Sequence, residues 1–178
     1  MEIKVQKEFN FLSSVHFENQ FMLNFYEMTA YMTIYTEETK EQHIAIERLM
    51  YFINAFLENT IFIHEKETEA IEKYKAAGIK ICPIPEEPYD QIIGLVLINK
   101  FNAIMEGRIV VDEIVFGSRL SNLIKFSIYG DEAKLEYEGK HWWNDSGLTT
   151  ETTKKSKKDK IVKLSDYKDE WKELELTW

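Results

Sequence analysis

Apolar and polar residues alternate with a period of two in several stretches of the chain, and each such stretch predicts a β-strand. Threonine, tyrosine and isoleucine, which favour strands, dominate residues 29–36. The predicted strands cover residues 2–8, 29–36, 60–64, 79–84, 109–116, 122–129 and 133–138. Residues 17–28 fit both a period of two and a helical stripe, so the pattern leaves their conformation open.

Apolar residues recur every three or four positions in three other stretches, and this spacing predicts helices. The predicted helices cover residues 40–58, 67–77 and 88–106. Thr39 and Gln42 resemble a capping box at the start of the first helix. Gly78 and Gly107 follow the second and third helices, where a left-handed residue commonly ends a helix. The third helix is apolar on most of its circumference, which predicts a buried helix.

The order of these elements alternates strands with helices and finishes with three successive strands. This order predicts an α+β fold in which about three helices pack on a largely antiparallel sheet, followed by a C-terminal amphipathic segment. The composition changes near residue 139, where tryptophans and then lysines follow the last predicted strand. The predicted units are a globular α+β domain at 1–139, a Trp-containing, Lys-rich linker at 140–163 and an amphipathic helix or docking segment at 164–178.

Composition and charge narrow the classes of function. The chain has 178 residues, of which 44% are hydrophobic, and this is enough to bury a core. The formal net charge is −9, and residues 1–139 alone carry 13 basic against 23 acidic side chains. An acidic domain repels phosphates, so it disfavours generic nucleic-acid binding by the core. Lysine, isoleucine and glutamate are abundant, a bias associated with AT-rich genomes such as those of many bacteria and phages.

The single cysteine and the charged N-terminus indicate the cellular compartment of the protein. Cys82 has no second cysteine with which to form an internal disulfide, whereas small secreted domains usually carry several. The first ten residues, MEIKVQKEFN, lack the apolar core of a signal peptide. The longest apolar run near the centre of the chain is far shorter than a membrane span. We therefore expect a cytoplasmic protein without a membrane partner.

The C-terminal segment carries a single helical stripe of apolar residues. The stripe consists of Leu164, Tyr167, Trp171, Leu174 and Trp178, at spacings of three and four residues. The plainer interpretation is that this helix packs on its own domain, because a helix of this length is marginal alone. The functional interpretation is a docking helix whose tryptophans anchor in a partner's groove. Residues 174–178 also alternate, so an extended docking peptide is a further possibility.

The segment before this stripe, residues 152–163, holds six lysines and one aspartate. The plainer interpretation is a solvated tether extended by its own charge. The alternative is a phosphate contact in which Trp142 or Trp143 stacks single-stranded bases. The candidate phosphate contacts are Lys154, Lys155, Lys157, Lys158 and Lys160. In a strand, the two adjacent tryptophans would point to opposite faces and could not stack on one ligand.

Reactive groups are sparse. A possible cleft could form from charged residues near the end of the third helix, namely Glu106, Arg108, Asp112 and His141. A salt-bridged loop is the plainer interpretation of the same residues. None of the four histidines has a recognised metal-ligand spacing, so no metal or cofactor is expected. Cys82, between Ile81 and Pro83, fits a buried structural thiol better than a nucleophile.

Three hypotheses of function follow. The leading one is a non-enzymatic accessory or regulatory protein that binds a protein partner or its own copy through the C-terminal stripe. The second is a small hydrolase or nucleotide-processing enzyme with a carboxylate and histidine site. The third is a nucleic-acid accessory protein that uses the lysine-rich tether. An enzyme is the less favoured class, because no motif in the chain specifies a reaction.

Overall fold

A computed structural model of the chain describes residues 3–136 and 140–151. The strands are β1 (Ile3–Phe17), β2 (Gln20–Ile34), β3 (Ile61–His64), β4 (Ile81–Ile84), β5 (Ile109–Ser118) and β6 (Lys125–Tyr129). The α-helices are α1 (Thr39–Phe52), α2 (Thr68–Ala76), α3 (Asp90–Met105) and α4 (Gly130–Glu136). A π-helical turn (Ile53–Leu57) continues α1, and a short 3-10 helix occupies Trp142–Asn144.

The six strands form one mixed sheet in the order β4-β3-β1-β2-β5-β6. The pairs β1–β2, β2–β5 and β5–β6 are antiparallel, whereas β3 runs parallel to both β1 and β4. The parallel pairs are short, so most of the sheet is antiparallel. The predicted α+β fold with helices on a largely antiparallel sheet is confirmed.

The longest strands are β1 and β2, which pair over 15 residues each and form one hairpin. Glu18 and Asn19 join them with positive φ angles of 48° and 59°, as in a type I′ turn. The predicted strand at 2–8 therefore covers less than half of β1, and the ambiguous residues 17–28 are largely β2. Phe21 and Phe25 lie on one face of β2 and Tyr26 lies on the other, as a period of two requires, and this resolves the ambiguity.

One face of the sheet packs against α1 and α3 and forms the hydrophobic core. Odd-numbered residues of β1 and even-numbered residues of β2 point to this face. Phe11 and Tyr26 stack with ring centroids 5.0 Å apart, and Tyr26 stacks on Phe116 at 5.3 Å. A Cβ atom on Gly94 would lie 2.2 Å from Ile128 Cδ1, so the glycine lets α3 approach the sheet closely.

Two local predictions are wrong. The capping box at Thr39 and Gln42 does not form, because the helix starts after Glu38 and the Gln42 side-chain amide donates to the carbonyl of Thr36. The predicted strand at 133–138 is mostly the helix α4. Asp131 and Glu132 favour a helix N-terminus, and Asn99 Nδ2 donates to the Ala133 carbonyl at 3.0 Å, which joins α4 to α3.

The helix α2 lies on the opposite side of the sheet from α1 and α3. His16 is an even-numbered residue of β1, and its Nδ1 lies 2.9 Å from the hydroxyl of Tyr74 in α2. The even residues of β1 point away from the core that contains Phe11. Helix α2 therefore covers β3, β4 and the adjacent end of β1 on this second face.

Residues 140–151 pack along the outer edge of β4. The indole Nε1 of Trp142 donates to the Pro83 carbonyl at 2.7 Å, and Thr150 Oγ1 donates to the Ile81 carbonyl at 2.8 Å. Trp142 and Trp143 are both buried and belong to the hydrophobic core. The packed part of the chain thus continues through Thr150.

Candidate functional site

The sheet face opposite α1 and α3, over β1, β2, β5 and β6, exposes several large apolar side chains. We call it the open face. Among the residues that the structure describes, only α2 covers this side of the sheet, at the β3–β4 end. The apolar residues that point to the open face include Leu12, Phe21, Leu23, Phe25, Tyr31, Val115 and Tyr129. The hairpin register sets this grouping, because residues directly opposite each other share a face.

Several large side chains of the open face are accessible to solvent. Phe21 is 57% exposed and Leu23 is 63% exposed. Charged residues lie among them, and two of these form an ion pair: Lys125 Nζ is 2.9 Å from Glu27 Oε2, and this carboxylate raises the pKa of Lys125. Arg119 lies over the ring of Phe25, with its guanidinium carbon 5.2 Å from the ring centroid. Such a mixture of exposed apolar area and charge is typical of protein-binding surfaces.

A groove of about 570 Å³ lies on the open face. It runs from the start of β1, at Gln6, to the end of β6, at Tyr129. Tyr31, Glu113 and Tyr129 are successive register neighbours on β2, β5 and β6, and all three line this groove. Asp112 also lines it, at the point where the pairing of β2 with β5 shifts by one residue. Two tyrosines beside two carboxylates suit a basic or amphipathic side chain of a partner.

A second pocket, of about 410 Å³, lies beside the start of α3. Its most buried acidic group is Asp90, which accepts hydrogen bonds from Ser118 Oγ at 2.9 Å and from Ser121 Oγ at 2.6 Å. Asn24 Oδ1 accepts from the backbone N–H of Leu120 in the same loop. These contacts fix the β5–β6 loop against α3. The serines donate to a carboxylate rather than to a histidine, so the arrangement does not activate a nucleophile.

The four residues of the predicted cleft have separate surroundings. Arg108 Nη1 lies 2.5 Å from Glu106 Oε2, and Arg108 Nε lies 2.6 Å from Glu41 Oε2. The hydrogen bond from Arg108 lowers the pKa of Glu106, which stays ionised. Asp112 instead accepts a hydrogen bond from Thr33 Oγ1 at 2.6 Å. His141 stacks on Trp143, with ring centroids 4.3 Å apart. The structure therefore brings Glu106 and Arg108 together and gives Asp112 and His141 other partners.

The described ranges contain neither a cluster of metal ligands nor an accessible thiol. Within residues 3–136 and 140–151, no three histidine, cysteine or acidic side chains are grouped so that they could hold a metal ion. Cys82 is buried, and burial raises the pKa of its thiol, which keeps it protonated. The helices in these ranges are all too short or too polar to cross a membrane.

The sequence analysis missed Lys100, a fully buried lysine in the middle of α3. Its Nζ donates to the carbonyls of Trp142 at 2.8 Å, Asp145 at 2.7 Å and Gly147 at 2.6 Å. Desolvation lowers the pKa of Lys100 to about 8, while Asp145 acts in the opposite direction. The lysine thereby holds residues 140–151 on the core. The sequence signal that could have indicated a buried lysine was a single cation within an otherwise apolar helix.

The remaining predicted sites fall outside the described residues. These are the partner-binding stripe from Leu164 to Trp178 and the candidate phosphate contacts from Lys154 to Lys160. Both stay predictions.

Comparison with known proteins adds information on the fold. No protein-family model matches the chain, and no curated protein matches its sequence. Among solved structures, the chain resembles the "Crystal structure of uncharacterized protein WS1659 from Wolinella succinogenes", with a TM-score of 0.51 and 10% sequence identity. The similarity covers 72% of this chain and 98% of that chain. At this identity the likeness concerns the fold alone.

Proposed function

We propose that this protein is a non-enzymatic accessory or regulatory protein that binds a protein partner through the open face. The single observation that carries the proposal is the exposure of Phe21 and Leu23 on a sheet face that α2 covers at one end only. Exposed apolar area of this kind, interspersed with charged side chains, marks binding surfaces in folded proteins. The groove at Tyr31 and Tyr129 supplies a recess in which a partner side chain can anchor.

The predicted C-terminal stripe belongs to this proposal as a second contact. Its five apolar residues, Leu164, Tyr167, Trp171, Leu174 and Trp178, would bind the partner while the lysine-rich tether lets the segment reach it. Removing residues 164–178 should then weaken partner capture and leave the melting temperature of the domain unchanged. A truncated chain that melts at lower temperature would assign the stripe to the protein's own core instead.

The experiment for the open face is site-specific photo-crosslinking in the cells that produce the protein. A photoreactive residue at position 23 should form a discrete adduct with one partner, and Leu23→Lys should abolish the capture of that partner. Tyr51→Lys is the matched control, because Tyr51 is 56% exposed but lies on α1, on the other side of the sheet. Equal capture by the two variants would contradict the proposal.

The hydrolase hypothesis has less support from the geometry. Arg108 forms ion pairs with both Glu106 and Glu41, and Asp90 accepts hydrogen bonds from two serine hydroxyls. The nucleic-acid hypothesis depends on the tether alone, since the domain is acidic. Replacing the five lysines from 154 to 160 with glutamine should abolish salt-dependent binding to single-stranded DNA if that hypothesis holds.

A further inference from the structure

The pocket beside the start of α3 lies at the turn of the β1–β2 hairpin, on the side of the sheet that packs against α1 and α3. It is therefore separate from the open face. Its volume of about 410 Å³ is in the range of small-molecule sites. Tyr89 is 56% exposed and Leu120 is 49% exposed, so the pocket opens to solvent beside them. Its apolar lining includes Val15, Phe17, Met22, Tyr89, Leu120 and Phe126.

Three aromatic rings contribute to this lining, from Phe17, Tyr89 and Phe126. The rings of Phe17 and Tyr89 meet at an angle of 60°, with their centroids 5.4 Å apart. The face of an aromatic ring carries negative electrostatic potential and attracts a cation placed over it. The lining therefore favours a positively charged ligand that also has an apolar body to bury.

Among the described residues that line the pocket, Asp90 alone carries a charge. It is 7% exposed, and its two oxygens accept one hydrogen bond each, from Ser118 Oγ and Ser121 Oγ. A carboxylate has about four acceptor sites, so about two remain for a ligand. Within residues 3–136 and 140–151, no lysine, arginine or histidine forms an ion pair with Asp90. Buried charges are usually paired, so the missing partner of Asp90 is a cation.

We propose that this pocket binds a small primary amine with an aromatic body. The ammonium group donates to the Asp90 carboxylate, and the apolar body packs among Phe17, Tyr89 and Phe126. Residues 1–139 carry 13 basic against 23 acidic side chains, so the domain attracts cations from solution. The pocket and the open face are on different sides of the sheet, and the proposal does not depend on the protein partner of the open face.

Titration of the full chain with phenethylamine, followed by nitrogen–proton correlation NMR, tests the proposal. The amine should shift the amide signals of Ser118, Leu120 and Ser121, with a Kd of about 1 mM or lower. Phenethyl alcohol has the same ring without the charge and should bind about tenfold more weakly, because a charge-assisted hydrogen bond is lost. n-Butylamine has the charge without the ring and should also bind about tenfold more weakly. Equal affinities for the amine and the alcohol would overturn the proposal, and so would amide signals that do not shift.

Two variants separate the contribution of the charge from that of the ring. Asp90→Asn should raise the Kd of phenethylamine about tenfold and leave that of the alcohol unchanged. Because Asp90 also holds the β5–β6 loop, Tyr89→Leu provides a second measurement that leaves the melting temperature unchanged. It keeps the apolar area, removes the ring and should raise the Kd about fivefold, whereas Tyr89→Phe should bind like the wild type. Tyr51→Leu is the matched control, because Tyr51 is also 56% exposed but lies on α1. A Kd unchanged in both Asp90→Asn and Tyr89→Leu would refute the proposal.

The lysine-rich tether is the competing source of a cation for Asp90. The full chain with its five lysines from 154 to 160 replaced by glutamine distinguishes the two sources. If the pocket receives a free amine, this variant should bind phenethylamine with the wild-type Kd in about 0.15 M salt, where distant charges are screened. A Kd that falls by about fivefold or more would show that a tether lysine occupies the carboxylate, and the proposal of a small-molecule site would then be wrong.

Discussion

The two faces of the sheet carry similar residues and have different environments. Phe11 and Tyr26 are buried beneath α1 and α3, whereas Phe21 and Leu23, on the other face of the same hairpin, are largely exposed. Both groups follow the same period of two. The difference arises from which helices pack on each face, and α2 reaches only the β3–β4 end. Apolar content alone thus does not distinguish the buried face of the sheet from the exposed one in this protein.

The largest expected effect on stability comes from truncating a residue on the sheet face that packs against α1 and α3. Phe11→Ala removes a buried ring that stacks on Tyr26 and Phe116. We expect a loss of about 3–5 kcal/mol in the free energy of unfolding, from lost transfer energy and the cavity left behind. Urea denaturation measures it. A loss below about 1 kcal/mol would contradict the assignment of this face to the core.

A smaller effect should follow from removing Lys100, the buried cation of α3. Lys100→Met keeps most of the side-chain volume and leaves three carbonyls without their donor. We expect a loss of about 2–4 kcal/mol, because buried acceptors are left unpaired. Lys75→Met is the matched control, since its ion pair with Glu151 is exposed and should contribute little. Tryptophan fluorescence should shift to longer wavelength only in the Lys100 variant, as Trp142 becomes hydrated.

The same lysine predicts a pH dependence with a definite sign. Its pKa is about 8 in the folded chain, below the ordinary value of 10.5. Between these values the unfolded chain holds a proton that the folded chain lacks, so the free energy of unfolding rises with pH. Relative to Lys100→Met, the wild type should gain up to about 1.4 kcal/mol per pH unit across this window. Parallel denaturation curves at pH 7 and pH 10 measure the gain, and a difference that falls with pH would refute the assignment.

The smallest effect is expected on the open face. Leu23→Lys should change the free energy of unfolding by less than about 0.5 kcal/mol, because the side chain is already 63% exposed. Thermal melting of the isolated protein measures this change. A loss comparable to that of Phe11→Ala would mean that Leu23 is covered in solution, and the two faces would then be equivalent.

Much of the helical structure could be predicted from the sequence, because it depends on local signals. The period of 3.6 residues located α1, α2 and α3, and Gly78 has the left-handed φ of 71° expected after α2. The hairpin was harder, because Phe17, Phe21 and Phe25 fit a helix and a strand equally well. Pairing between the two strands of the hairpin decided the matter, and such pairing is not visible in the periodicity of one segment. The strand predicted at 133–138 failed because acidic residues after Gly130 favoured a helix.

The site was predicted less well than the fold. Of the predicted cleft, Glu106 and Arg108 form an ion pair, while Asp112 lines the groove of the open face. The open face itself could not be inferred, since it depends on where α2 packs relative to the hairpin. Lys100 was overlooked because a single lysine does not alter the apolar periodicity of α3. Its partners are backbone carbonyls more than 40 residues away, which no side-chain motif encodes.

The packing of residues 140–151 along the edge of β4 also has a consequence for the order of folding. Strand β4 is closed by Trp142 and Thr150, groups 59 and 69 residues further along the chain. During synthesis, β4 is made well before Trp142 and Thr150, which hydrogen-bond to its outer edge. Until those residues are synthesised, the outer edge of β4 has no partner from residues 140–151. Contacts over such distances along the chain also form slowly. We therefore expect residues 140–151 to be the last part of the domain to pack, and misassembly would occur in the interval before they pack.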